Sequence, residues 1–165
     1  MKYWFIPIVL LLSLGCRDDT SEQNIPSPDP IKFTVTANSG GCSNFQVYHY
    51  SDDRTYGLLL VGDSAQLGLS TSWQTYALDQ SDLSLTLYEF RQPLDSYFCD
   101  DGIEAGEDPL QTWDAEEGSI QLRIAGPGQV PGVYTINVVL EDVLVNEQRL
   151  ERIARDGIEV GRVPG

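Results

Sequence analysis

A hydrophobic period of two constrains this chain more than any other feature. Ile31, Phe33, Val35 and Ala37 alternate with Lys32, Thr34 and Thr36. Leu83, Leu85 and Leu87 repeat the pattern, as do Ile120, Leu122 and Ile124, and the longest run is Tyr134, Ile136, Val138 and Leu140. Successive strand side chains point to opposite faces, so each run predicts a strand with one buried face. Phe45 and Val47 begin another strand. Leu58 to Val61, a turn at Gly62-Asp63-Ser64, and Ala65, Leu67 and Leu69 predict a hairpin. Turn residues separate the runs at Gly40-Gly41, Gly126-Pro127-Gly128, Pro131-Gly132 and Asp156-Gly157. Over 147–155, Leu150, Ile153 and Ala154 have helical spacing, but no good N-cap precedes them, and the flanking alternation favours a strand.

Strand and turn signals recur about every ten residues, the spacing of two packed antiparallel sheets rather than alternating helix and strand. The fold class expected is all-β: a two-sheet β-sandwich, immunoglobulin-like or jelly-roll-like, over residues 31–165. No repeat of useful length points to a solenoid or propeller. Cys42 and Cys99 are predicted to pair as a structural disulfide, because a redox or metal pair would want much closer spacing.

The N-terminus has a different composition. Lys2 is followed by an uncharged stretch from Tyr3 to Gly15 that ends in Leu14-Gly15-Cys16. Those thirteen residues, at about 1.5 Å of helical rise each, are too short to cross a hydrocarbon core of roughly 30 Å. The segment resembles a bacterial lipoprotein signal peptide. That resemblance implies removal of residues 1–15 and lipidation of Cys16. Arg17-Asp18-Asp19 resembles the surface-export signal of Bacteroidota lipoproteins, and the chain as a whole resembles the small cell-surface lipoproteins of that group. The implied location is the bacterial outer membrane, lipid-anchored and facing the cell surface, with its periplasmic face as the alternative. Residues 16–30 read as a tether: Arg17 to Asn24 is polar, and Pro26, Pro28 and Pro30 favour an extended chain.

Of the charged residues only Lys2 lies in the leader, so the mature chain sets 25 acidic residues against 9 Lys and Arg, a formal charge of −16. Such a surface repels a phosphate backbone, which argues against nucleic-acid binding. The single histidine, His49, sits between Tyr48 and Tyr50 on an alternating strand and reads as a partly buried, hydrogen-bonded core residue. No nucleophile elbow, phosphate loop or zinc motif occurs, so no catalytic residues, metal or cofactor are assigned. The segment 100–118 stands apart from the strand pattern. Its residues Asp100, Asp101, Glu104, Glu107, Asp108 and Trp113 form the candidate recognition loop, since long connections are where binding usually resides. Their spacing does not match a calcium loop, so they read as solvated acids. Trp73, Tyr76, Tyr88, Tyr97 and Tyr134 fit either a sugar-stacking face or ordinary sandwich packing. The expected function is a non-catalytic binding or structural accessory module, its ligand a polysaccharide, a peptide or an envelope protein. The alternative is a small carboxylate-dependent glycoside hydrolase acting on extracellular glycans.

Overall fold

A computed structural model describes residues 30–94, 96–100, 107–129 and 132–161. The leader, Cys16, Arg17, Asp18, Asp19, the tether up to residue 29, Asp101 and Glu104 lie outside the described residues. Among the described residues ten strands are seen: β1 (Ser39–Cys42), β2 (Gln46–Tyr50), β3 (Tyr56–Val61), β4 (Gln74–Ala77), β5 (Ser84–Glu89), β6 (Gln111–Asp114), β7 (Glu117–Pro127), β8 (Val133–Val145), β9 (Gln148–Arg149) and β10 (Ile153–Gly161). They form two antiparallel sheets, ordered β1-β2-β3-β5-β6 and β10-β8-β7-β4, with β9 pairing the end of β8. This is the expected two-sheet, sandwich-like arrangement. Among the described residues, no helix is long and apolar enough to cross a membrane.

The inward residues of the alternating runs meet between the sheets. Phe45, Leu60, Leu87, Ile120, Leu122, Ile136, Val143, Val145 and Val160 are almost completely sealed there. One side of the sandwich is closed by β1 folding against β10. Gly161 N–H donates to the Ser43 carbonyl at 2.9 Å, and a Cβ added at Gly41 would come within 2.6 Å of the Glu159 carbonyl oxygen. Gly41 therefore supplies the close approach that joins the two sheets. The chain crosses between sheets after β6: Ala115 N–H still bonds Leu85 O in the first sheet, while Glu116 N–H bonds Leu144 O in the second.

Several local expectations are corrected, among them the turns at Gly40-Gly41 and Asp156-Gly157, which lie within β1 and β10. The hairpin over 58–69 does not form, because Ser64–Leu67 is a one-turn helix, α1. Asp63 caps it by accepting the Ala65 N–H at 3.0 Å, and Gly68 closes it in the left-handed conformation at φ 57°. Three alternating apolar residues are too few to separate a strand from a helical turn. The alternation over 31–37 is likewise not a strand. Phe33 is buried, but the N–H groups of Thr34 and Val35 donate to the Asp52 carboxylate at 2.6 and 2.9 Å instead of to a neighbouring strand. Segment 100–118, expected to stand outside the sheets, contributes β6 and the start of β7. β6 is an exposed edge strand in which Trp113 alone is half-buried, so it carries no alternation to read. In 147–155, expected as strand, β9 and the first residues of β10 are strand, separated by Leu150–Arg152.

Candidate functional site

β2 is apolar on both faces. Val47 and His49 face the main core, whereas Tyr48 and Tyr50 face outward together with Tyr88 on β5. A sheet face of this kind needs a cover, and the chain between β5 and β6 provides it. Phe90, Leu94 and Phe98 are buried with Tyr50 in a second cluster, flanked by Tyr48, Leu59, Tyr88 and Tyr97. The Phe98 ring sits 5.2 Å from Tyr50 and 5.1 Å from Tyr88, centroid to centroid. Between those two tyrosines the register places Gly57, whose missing side chain leaves the notch Phe98 fills. A Cβ at Gly57 would come within 2.6 Å of Phe98 Cε2.

Hydrogen bonding and a covalent bond secure this cover. Tyr50 Oη accepts the backbone N–H groups of Tyr97 at 2.6 Å and Phe98 at 3.1 Å, which satisfies two donors that would otherwise be buried unpaired. Burial raises the Tyr50 pKa above the ordinary value, against the pull of those two donors. The disulfide expected from the sequence is formed: Cys42 on β1 bonds Cys99, with Cα atoms 5.9 Å apart. It joins the cover to the edge strand one residue beyond Phe98. Phe90 and Leu94 anchor the other end through backbone bonds to Thr55 O and Arg54 O.

The acidic residues follow this clamp. Asp100 is exposed and accepts a bond from Ser96 Oγ at 3.2 Å. Glu107 is half-buried and Asp108 exposed. Burial, then Asp108, then Glu107 raise the Tyr97 pKa, so both carboxylates act on the Tyr97 hydroxyl. Trp113 is not brought to them. It pairs with Leu87 and packs against the inter-sheet core, on the opposite face of the sheet from Tyr88. Sequence reasoning missed the aromatic platform, although the unbroken apolar character of Val47 to Tyr50 signals a strand covered on both sides.

The five aromatics weighed for stacking do not share a face. Tyr88 and Tyr97 belong to the clamp, Tyr76 and Tyr134 pack against the main core, and Trp73 remains 42% exposed on the other sheet. His49 is buried, as expected. Its Nε2 lies 3.2 Å from the Phe33 carbonyl and also faces Arg155 Nη2, which bonds the same carbonyl. Arginine can only donate, so Nε2 accepts and the ring proton is assigned to Nδ1, which is buried with no partner. Burial, reinforced by the Arg155 charge, lowers the His49 pKa to about 4. His49 is therefore a neutral inter-sheet residue, 4% exposed, with no route to a substrate.

Asp52, Asp53 and Asp63 all have lowered pKa values. Asp52 is held down first by the Thr34 hydroxyl, and Asp63 first by the Ala65 N–H. At Asp53, burial opposes the shift, but bonds from Ser51 and Thr55 outweigh it. Asp52 and Asp53 line an open cleft of about 300 Å³ beside Pro30 and Tyr56, where a hydrolase would need one carboxyl raised to act as general acid. Both are instead ionised structural acceptors. Among the described residues, no group of three or more His, Cys, Asp or Glu is placed to hold a metal ion. In comparisons with known proteins, the chain matches no family model, no curated protein and no solved structure.

Proposed function

We propose that this chain is an outer-membrane lipoprotein, held by lipid on Cys16 and facing the cell surface, whose β-sandwich is a non-catalytic binding module. The leader ending in Gly15-Cys16, and Arg17-Asp18-Asp19 after it, support the anchoring and the address. The observation that carries the binding role is the clamp on the acidic connection. An aromatic block and a disulfide hold the chain up to Cys99 on the outer face of the first sheet, directly before the acidic connection. A segment ordered before it meets its partner loses less conformational entropy on binding. The acidic connection, with Asp100, Glu107 and Asp108 at its described ends, then offers negative charge to a basic surface on an envelope protein or peptide.

Two measurements test this. Cys16→Ala is expected to move the protein from the membrane fraction to the soluble fraction while it stays folded; continued membrane attachment overturns the anchoring. The lipidated protein, cross-linked in intact cells, is expected to yield a defined envelope partner that disappears with Glu107→Gln/Asp108→Asn. A cross-linking pattern unchanged by that pair, or no cross-linked partner, overturns the recognition role of the acidic connection.

A further inference from the structure

The outward face of the second sheet has a separate feature. Ladder register places Arg123 beside Asn137 on β8, and Gln121 beside Val139 in the next row. Trp73, just before β4, lies next to Arg123, whose guanidinium carbon is 4.7 Å from the Trp73 ring centroid. Stacking on an indole holds a guanidinium in place and leaves its N–H edge available for a planar anion.

In a chain with 25 acidic residues, an arginine on an open sheet face would ordinarily be neutralised. Here it is not: among the described residues, the Arg123 Nε is buried with no hydrogen-bond partner. Glu141, on the row beyond Gln121, accepts instead from Arg152 Nε at 2.8 Å and Gln121 Nε2 at 3.0 Å. The local acid is thus consumed and Arg123 is left uncompensated. Asn137 beside Arg123 is buried, and its side-chain oxygen accepts the Gly157 N–H at 3.2 Å, so it does not compensate the charge. Trp73 is one of three large apolar side chains left exposed among the described residues.

From this charge complementarity we infer that Trp73 and Arg123 form a binding site for a carboxylated sugar carried on an otherwise neutral glycan. The indole offers apolar surface to a sugar ring, and Arg123 meets the carboxylate. The formal charge of −16 on the mature chain selects within this class. A dense polyanion is repelled by the whole molecule, whereas one isolated carboxylate feels chiefly the charge within a screening length of about 8 Å. The site lies on the sheet opposite the acidic connection and does not depend on it.

The test uses the full lipidated protein in detergent and three oligosaccharide probes: a xylan fragment bearing a single glucuronate, the same fragment without it, and oligogalacturonate. The glucuronate-bearing fragment is expected to bind at least tenfold more tightly than either of the others. Arg123→Gln removes that preference and brings the acidic fragment to the affinity of the neutral one, while Trp73→Ala weakens both xylan fragments. Thermal melting confirms that each variant is folded. Equal affinity for the neutral and acidic fragments, tighter binding of oligogalacturonate, retention of an acidic peptide in place of any sugar, or indifference to Arg123→Gln each overturns the assignment.

Discussion

His49 makes this protein acid-sensitive in a window set by a single buried ring. Its pKa is about 4 in the folded chain, against 6.5 for a free histidine, because burial and the adjacent Arg155 charge both oppose protonation. The unfolded chain therefore binds a proton between pH 6.5 and 4 that the folded chain refuses, so stability is fully present above 6.5 and falls as the pH drops through that interval. A gap of about 2.5 pH units at 1.36 kcal/mol each amounts to about 3 kcal/mol, a large share of the 5–15 kcal/mol typical of a domain. The ring is 4% exposed, so solvent screening removes little of this. His49→Gln keeps an acceptor for Arg155 and cannot titrate. Urea unfolding followed by tryptophan fluorescence, from pH 7.5 to 4, is expected to show wild type losing about 3 kcal/mol and the variant much less. Asp52, Asp53 and Asp63, with pKa values below 3.8, contribute mainly at lower pH, outside this range. Parallel pH profiles for the two proteins would refute the reasoning, since the neutral buried imidazole would then not be the source of the slope.

Other substitutions probe the clamp and the turns. Gly57→Ala forces Phe98 out of its notch and is expected to cost about 1–3 kcal/mol, the range for overpacking, with a changed near-ultraviolet signal from the tyrosines; an unchanged melt refutes the close packing. Replacing Cys42 and Cys99 by serine opens a covalent loop of 57 residues and is expected to destabilise by about 4 kcal/mol in chain-entropy terms, measured by urea midpoint. Amide exchange in that variant should rise first at Tyr97 and Phe98, the donors to Tyr50. Asn146 and Glu147 both have positive φ in the two-residue turn joining β8 to β9, so Glu147→Gly is expected to stabilise by about 1 kcal/mol, seen as a raised urea midpoint.

Much of the architecture can be read from residue order, because a half-buried strand writes its burial into alternate positions. Ile120, Leu122 and Ile124, and Ile136, Val138 and Leu140, announced β7 and β8 in this way, and an even pair of cysteines after Cys16 announced the disulfide. One failure comes from backbone hydrogen bonds whose partners are distant in sequence, the others from runs too short or too exposed to carry a period. Thr34 and Val35 alternate correctly but lose strand pairing to the Asp52 carboxylate, 18 and 17 residues on. β6 has no alternation, since an edge strand with one inward residue leaves no periodic trace. The candidate site divides along the same line. The acidity of Asp100, Glu107 and Asp108 is visible in the chain, but the platform beneath their segment depends on Phe98 finding Gly57, 41 positions away.

The sequence by itself determined an all-β chain of strongly acidic composition whose first residues resemble a lipoprotein leader, because composition and period two are local properties of the covalent chain. Only the tertiary structure decided which face each aromatic residue occupies: Trp113 inward, Tyr88 and Tyr97 into the clamp, Trp73 outward against Arg123. It also decided that His49 is sealed beside Arg155, and that Glu141 is taken by Arg152 while Arg123 is left without an acid. Those outcomes rest on strand order and register, which are set by the sum of many weak contacts between distant residues.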